Sequence, residues 1–325
     1  MNRVKKLVAL LVALVMILSC SAVLAFAAKK TPSKYDYNKD GKVIYTVLGD
    51  SIAAGYSMPG FYEASKWDAA WPIVPGTYPD LVGKALKADK TYQDAHIGLR
   101  STDLRYLLCE DFAGDIAVGW RVPTTDNYRT VDYEGLAKVR KQYYNHIKKA
   151  DVITLNIGIN DLTIPSGIMD NVQQENALLL QAFWGDMLGT AYKLADNYIY
   201  MAQVSTLLIG FYRNYISNFN AIVTKIREIN PNAKLLVIGY YNAAQDAFVK
   251  GALPVDIGAL VTPFIDLFNS HAAGAAAGNG YTYVKMEHID TLFCDPTSPG
   301  YLNDNHPTAL GHQQMADIIM AAINA

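Results

Sequence analysis

The sequence predicts an α/β protein with a parallel sheet covered by helices on both faces. Five short apolar runs alternate with segments of helical periodicity, and this alternation is typical of parallel sheets. An apolar fraction of 51% in 325 residues is sufficient for the core of one large domain. The strand-like runs are Val43–Leu48, Tyr92–Ile97, Val152–Ile157, Lys234–Tyr240 and Tyr281–Lys285.

Residues 1–27 have the pattern of a secretory signal peptide. Arg3, Lys5 and Lys6 precede an apolar run, and Ala25-Phe26-Ala27 offers a small-residue cleavage site. An uncleaved membrane anchor is the alternative, because residues 7–28 are uncharged and long enough to span a bilayer. We therefore expect a secreted or cell-surface protein.

The remaining chain divides into a linker, residues 28–42, and one domain, residues 43–325. The whole sequence has a slightly negative net charge, with 28 Lys and Arg against 30 Asp and Glu. Nucleic-acid partners are therefore not expected, because they require a basic surface. We expect a monomer.

Two cysteines, Cys109 and Cys294, follow the signal segment. An even pair in an exported protein predicts a disulfide, and two buried thiols are the alternative. A bridge across so long a span is worth about 4 to 5 kcal/mol by chain entropy.

The helices are clearest near the end of the chain. Residues 214–229 place Ile216, Phe219, Val223 and Ile226 at spacings of three and four, and Pro231 stops the pattern. A last helix is predicted over residues 311–325.

A candidate nucleophile lies where the first strand gives way to a helix, in the stretch "TVLGDSIAAGY". Ser51 alone would be interpreted as a helix N-cap. His306, held in an extended backbone by Pro307, is a candidate general base for it. Asp304, two residues earlier, can set the imidazole tautomer and stabilise the imidazolium.

Oxyanion donors are predicted after two other strands. Gly98 follows the second strand and Asn160 the third, so their N–H groups should meet the Ser51 N–H at the carboxyl edge of the sheet. Alone, each would be taken for a turn residue.

Gly49-Asp50-Ser51, Gly98, Gly158-x-Asn160-Asp161 and His306-Pro307, in this order, resemble the four blocks of the SGNH (GDSL-type) hydrolase family, which includes secreted bacterial lipases and esterases. The resemblance spans residues 43–322. It implies a flavodoxin-like three-layer α/β/α fold with a five-stranded parallel sheet, and ester hydrolysis through an acyl-enzyme without a cofactor. It also implies that Ser51 is the nucleophile, His306 the base, and Ser51, Gly98 and Asn160 the oxyanion donors.

One block departs from the family. Its acid usually lies three residues before the histidine, where this chain has Asn303. We expect Asp304 to orient His306, because side chains at i and i+2 of an extended segment lie on the same side. Asn303 is the alternative if the backbone turns tightly.

The substrate is less constrained, because the fold alone does not specify it. Residues 56–78 contain several aromatic side chains soon after Ser51. Residues 177–215 are apolar and are predicted to be helical. We favour additional core for this second segment, and an apolar cap over an acyl-binding cleft is the alternative. A lipid or short acyl ester is the favoured substrate, with peripheral contact to lipid or polysaccharide. A carbohydrate acetylesterase and an inactive binding module are the alternatives.

No metal or cofactor is expected. The sequence has neither C-x-x-C nor H-E-x-x-H. Residues 36–43 begin like a calcium loop, but Val47 stands where the bidentate Glu belongs.

Overall fold

Five strands form one parallel sheet in the order β2-β1-β3-β4-β5. The structure is a computed structural model that describes residues 32–61, 72–110, 112, 133–163, 198–251, 256–302 and 304–325. The strands are β1 (Ile44–Gly49), β2 (Lys90–Ala95), β3 (Val152–Asn156), β4 (Lys234–Ile238) and β5 (Thr282–Val284). Each overlaps one of the five predicted runs, and the predicted fold class is confirmed.

The described helices alternate with these strands. They are α1 (Ser51–Ala54), α2 (Tyr78–Leu86), α3 (Ser101–Leu108), α4 (Tyr133–Lys149), α5 (Ile159–Thr163), α6 (Tyr198–Ile229), α7 (Ile257–Asn279) and α8 (Ala309–Asn324), with a 3₁₀ turn at Leu292–Cys294. Helix α6 ends where its periodicity predicted, and its described part reaches back to Tyr198, within residues 177–215, which the sequence also predicts to be helical. The last helix was predicted within two residues.

Alternate side chains of the strands face two separate core layers. Leu48, Ile153 and Leu235 pack on one face with α3, α4 and α6. Val47, Val152 and Leu236 pack on the other face with α2 and α8. This period-two division produces three layers, helices above and below a sheet buried on both sides.

The chain reverses its direction of travel across the sheet at β1. It moves from β1 to β2 on one side and then returns to β3 on the other, and Gly49 pairs with both Ala95 and Asn156. In parallel sheets of this order, ligands bind beyond the carboxyl ends of the strands beside such a reversal. The segments after β1, β2 and β3 therefore meet at the place where a site is expected.

The predicted disulfide is wrong. Cys109 and Cys294 are both thiols. Cys109 ends α3 and packs against the core face that carries α4 and α6. Cys294 is buried with Ala244 and Ala247, and its Sγ lies 3.3 Å from the Ala243 carbonyl oxygen. The two thiols belong to different clusters, which the spacing of cysteines in a sequence does not reveal.

Some expectations fall outside the described residues. The predicted signal segment and residues 62–71 and 177–197 are among them. Residues 198–215 are the described part of the apolar segment 177–215. Phe211 and Tyr212 pack against the core and Tyr215 is buried, as expected if this segment adds to the core. Of the helices that the structure describes, none is both long and apolar enough to cross a membrane.

Candidate active site

The candidate nucleophile opens a one-turn helix at the end of β1. Asp50 is the N-cap of α1, with φ −100° and ψ −154°, and its Oδ1 accepts a hydrogen bond from the Ile52 N–H at 3.0 Å. Asp50 also donates its own N–H to the Asn156 carbonyl oxygen at 3.2 Å. Ser51 is therefore the first helical residue, and Asp50 rather than Ser51 performs the capping that was the alternative role for this serine.

His306 connects Ser51 to Asp304 through both of its ring nitrogens. Its Nε2 lies 2.8 Å from Ser51 Oγ, and its Nδ1 lies 2.6 Å from Asp304 Oδ1. With the Nδ1 proton donated to the carboxylate, Nε2 is the acceptor for the serine hydroxyl proton. The structure thus brings together three residues that are up to 255 positions apart in the chain.

Asp304 is held by three donors. Besides Nδ1, its Oδ1 accepts the His306 backbone N–H at 3.0 Å, and its Oδ2 accepts the Ser57 hydroxyl at 2.5 Å. Partial burial opposes ionisation of Asp304, but the hydrogen bonds from His306 and Ser57 outweigh it and hold the pKa below its usual value. Asp304 is therefore a carboxylate at neutral pH and can stabilise a positive imidazolium. The alternative orienter, Asn303, lies outside the described residues.

The loop that carries His306 is fixed on both sides. The His306 carbonyl oxygen accepts the Leu292 N–H at 3.0 Å, and Thr291 and Pro307 form an isolated β-bridge. The Tyr241 hydroxyl donates to the Asn305 carbonyl oxygen at 3.0 Å. The imidazole is therefore placed by backbone contacts, and its side chain is only 14% exposed.

The two candidate oxyanion residues lie beyond the strands that flank β1. Gly98 has φ +71°, a left-handed conformation that favours glycine and turns the chain after β2. Asn160 is buried at the start of α5, and its Nδ2 donates to the Leu99 carbonyl oxygen at 3.1 Å. This contact ties the segment after β3 to the segment after β2, on which Gly98 lies.

A second contact joins the same segments. Asp161 accepts the N–H of Ser101 at 2.8 Å and its hydroxyl at 2.5 Å. Burial raises the pKa of Asp161 to about 7, although the bonds from Ser101 favour its ionised form. The pair joins the start of α3 to α5, at the residue that follows Asn160.

Two hydrogen-bonded contacts that support the site were not predicted from the sequence. Ser57 gave no signal, because an exposed serine in a loop 247 positions from Asp304 has no pattern that predicts the contact. The Ser101–Asp161 pair had only a weak signal, the adjacency of Asp161 to Asn160. Contacts of this kind depend on loop geometry that local sequence does not encode.

A parallel sheet covered on both faces, with a serine, a histidine and a carboxylate hydrogen-bonded in series at its carboxyl edge, is the arrangement of a serine hydrolase. The model of one family, the GDSL-like Lipase/Acylhydrolase family, matches residues 47–314. The chain belongs to that family, which confirms the resemblance found in the sequence.

Several solved structures have a similar fold. An extracellular lipase from Streptomyces rimosus is 17% identical, with a TM-score of 0.51 and coverage of 86% of this chain and 99% of that one. Phospholipase A1 from Streptomyces albidoflavus NA297 is 15% identical, with a TM-score of 0.49 and the same coverage. A carbohydrate esterase family 2 enzyme from Corynascus thermopiles is 16% identical, with a TM-score of 0.43 and coverage of 87% and 67%. At these identities the likeness concerns the fold and not the substrate. A search of curated protein sequences gave no significant match.

Proposed function

We propose that this protein is an exported serine ester hydrolase that acts through an acyl-enzyme on lipid or short acyl esters. The observation that carries the proposal is the series of two hydrogen bonds, 2.8 Å from Ser51 Oγ to His306 Nε2 and 2.6 Å from His306 Nδ1 to Asp304 Oδ1. Both lie within the range that proton transfer requires. Export rests on the signal-like pattern of residues 1–27 alone.

In this mechanism the serine oxygen attacks the ester carbonyl while its proton passes to His306 Nε2. The tetrahedral oxyanion forms beside the N–H groups of Ser51 and Gly98 and the Asn160 amide. The imidazolium then protonates the leaving alcohol, and the acyl group remains on Ser51 Oγ. A water molecule, deprotonated by the same imidazole, releases the acid and restores the serine.

Aromatic side chains beside the imidazole favour an apolar acyl group. The Tyr56 ring lies 4.9 Å from the His306 ring and 5.4 Å from the Phe61 ring, measured between centroids. Tyr56 is 38% exposed, so it lines the approach to the serine. An acyl chain packed on these rings would lose its contact with water, which is favourable in proportion to the apolar area buried.

The same rings support the second candidate, a carbohydrate acetylesterase, because a sugar ring can also pack on an exposed tyrosine. A panel of p-nitrophenyl esters from acetate to palmitate, assayed beside acetylated xylan, separates the two. We expect a clear optimum of kcat/KM along the acyl series and little acetate release from the xylan. Rapid release from xylan with activity confined to acetate would establish the carbohydrate esterase instead.

A binding module that has lost its chemistry is the alternative from a different class. A fluorophosphonate probe distinguishes it, because the probe reacts covalently only with an activated serine. We expect stoichiometric labelling of the wild-type protein. If neither labelling nor hydrolysis of any ester in the panel occurs, the binding module is the correct interpretation and the proposed function is wrong.

A further inference from the structure

Two consecutive tyrosines after β4 reach the two halves of the candidate site. The Tyr240 hydroxyl donates to Asp50 Oδ2 at 2.6 Å. The Tyr241 hydroxyl donates to the Asn305 carbonyl oxygen at 3.0 Å. Asp50 directly precedes Ser51, and Asn305 directly precedes His306. Each bond therefore ends one residue before one member of the serine–histidine pair.

The tyrosines stand on a rigid part of the fold. The Tyr240 N–H donates to Asn269 Oδ1 at 2.9 Å, and Asn269 Nδ2 donates back to the Tyr240 carbonyl oxygen at 2.8 Å. The Gly239 N–H continues the sheet with a bond to the Val284 carbonyl oxygen at 2.9 Å. Tyr240 and Tyr241 are 4% and 7% exposed. Helix α7 and β5 thus fix the backbone from which both hydroxyls extend.

The two targets lie on separate elements, which the Ser51–His306 contact, the Ser57–Asp304 bond and the Tyr56–His306 ring contact also join. The α1 turn is attached to β1, whereas the His306 loop follows β5, at the far side of the sheet order. The 2.8 Å contact between Ser51 and His306 depends on holding these elements at one separation. A displacement of about 1 Å at such a contact can cost about 10²-fold in rate.

We propose that Tyr240 and Tyr241 are positioning residues that set the separation of Ser51 and His306 by binding both elements to the end of β4. This inference rests on the proposed function, since it concerns the reactivity of Ser51. The tyrosines do not touch the reacting atoms and act through Asp50 and Asn305.

Tyr240 also acts on charge. Burial raises the pKa of Asp50 to about 6, and the Tyr240 hydroxyl opposes that shift by donating to the ionised form. The titratable groups that face Asp50 are Tyr78 from α2, Tyr240 and Tyr241 from the β4 end, and His306 from its loop. Removal of the hydroxyl should raise the pKa of Asp50 further, so the carboxylate that favours the nearby imidazolium would form only at higher pH.

The test compares Tyr240→Phe and Tyr241→Phe with the control Tyr45→Phe. Tyr45 is also fully buried, and its hydroxyl bonds Thr154 Oγ1 at 2.9 Å, away from the candidate site. Tyr241→Phe and Tyr45→Phe each lose one hydroxyl bond to a neutral group, so their melting temperatures should fall by similar amounts. Tyr240→Phe loses a bond to a carboxylate and a contact with the Ile159 backbone, so its melting temperature should fall further. For the best p-nitrophenyl ester, we expect kcat to fall about 10-fold or more in each positioning variant, with KM within about twofold.

Two further measurements extend the comparison. The acid limb of the kcat profile should move to higher pH in Tyr240→Phe and stay in place in Tyr45→Phe. The rate of fluorophosphonate labelling should fall in step with kcat, because labelling depends on the same serine–histidine contact. If Tyr240→Phe does not fold, Tyr241→Phe carries the test by its kcat and labelling rate.

The inference is overturned if the positioning variants keep the kcat of Tyr45→Phe, or if their loss lies in KM alone. Such a result, with an active wild-type enzyme, leaves the proposed function intact. An inactive wild-type protein that the probe does not label overturns both.

Discussion

Replacement of Asp304 separates the two things that a carboxylate does for His306. Asp304→Ala removes both the acceptor for Nδ1 and the negative charge. Asp304→Asn removes only the charge, provided that the amide oxygen faces Nδ1. The structure favours that orientation, because Oδ1 also accepts the His306 backbone N–H at 3.0 Å, and a Ser57 oxygen lies where the Nδ2 of the amide can donate to it.

The magnitudes follow from these contacts. Two unit charges about 4 Å apart interact by about 4 kcal/mol at an effective dielectric of about 20, so losing the charge lowers kcat by at most about 10³-fold. In a serine protease, an amide that fixes the wrong tautomer costs about 10⁴ in kcat. We therefore expect a loss of about 10² to 10³ for Asp304→Asn and about 10⁴ for Asp304→Ala.

The assay is kcat for the best p-nitrophenyl ester, measured at one fixed pH for all variants, with Asn303→Ala as the control. The control should retain near-normal kcat. Near-normal kcat in Asp304→Ala together with a large loss in Asn303→Ala would refute the reasoning, because Asn303 would then orient the ring. Equal losses in Asp304→Asn and Asp304→Ala would refute the argument for a fixed amide.

Three other predictions concern the support of the site. Ser57→Ala should lower kcat by about 3- to 10-fold without changing KM, because water can replace the hydroxyl of an exposed donor to Asp304 only in part; unchanged kcat in Ser57→Ala would contradict this. Gly158→Ala should destabilise the fold by about 1 to 3 kcal/mol, since a Cβ would lie 2.5 Å from the Tyr215 ring at a φ of +137°; an unchanged urea midpoint contradicts the packing. The third concerns Asp161, whose pKa is about 7 in the fold and near 4 when unfolded, so unfolding releases its proton and stability falls as pH rises between these values. Urea midpoints of Asp161→Asn at pH 5 and pH 8 should differ less than those of wild type, and an equal difference contradicts the pKa.

Much of the fold could be predicted from the sequence because its strands are buried on both faces. A strand such as β3 then appears as a mostly apolar run that stops at Gly158, and the order of runs and helices specifies a parallel sheet. The stretch of α6 before residue 214 lies in the segment 177–215, whose apolar composition predicts a helix although it has no periodic boundary. The Cys109–Cys294 bridge was wrong because sequence spacing does not show into which core cluster each thiol packs.

The candidate site also has a part that the sequence predicts and a part that it does not. Ser51, Gly98 and Asn160 follow strand ends, so the sheet brings them together without information from the loops. The i, i+2 argument for Asp304 holds because the segment before Pro307 stays open enough for Oδ1 to reach Nδ1 at 2.6 Å. Ser57, Tyr240 and Tyr241 contact the site through hydroxyls at the ends of long side chains or loops, and nothing in their local sequence indicates such contacts.

The central claim is that Ser51 Oγ is the nucleophile, and covalent labelling tests it most directly. Intact mass and peptide mapping after fluorophosphonate treatment should show one phosphonyl group on Ser51 in the wild-type protein and none in Ser51→Ala. The variant should keep the wild-type melting temperature and less than about a thousandth of the wild-type kcat, because the loss of a triad serine costs on the order of 10⁶-fold in kcat. Labelling at another residue, or a Ser51→Ala variant that hydrolyses esters above that level, would contradict the claim.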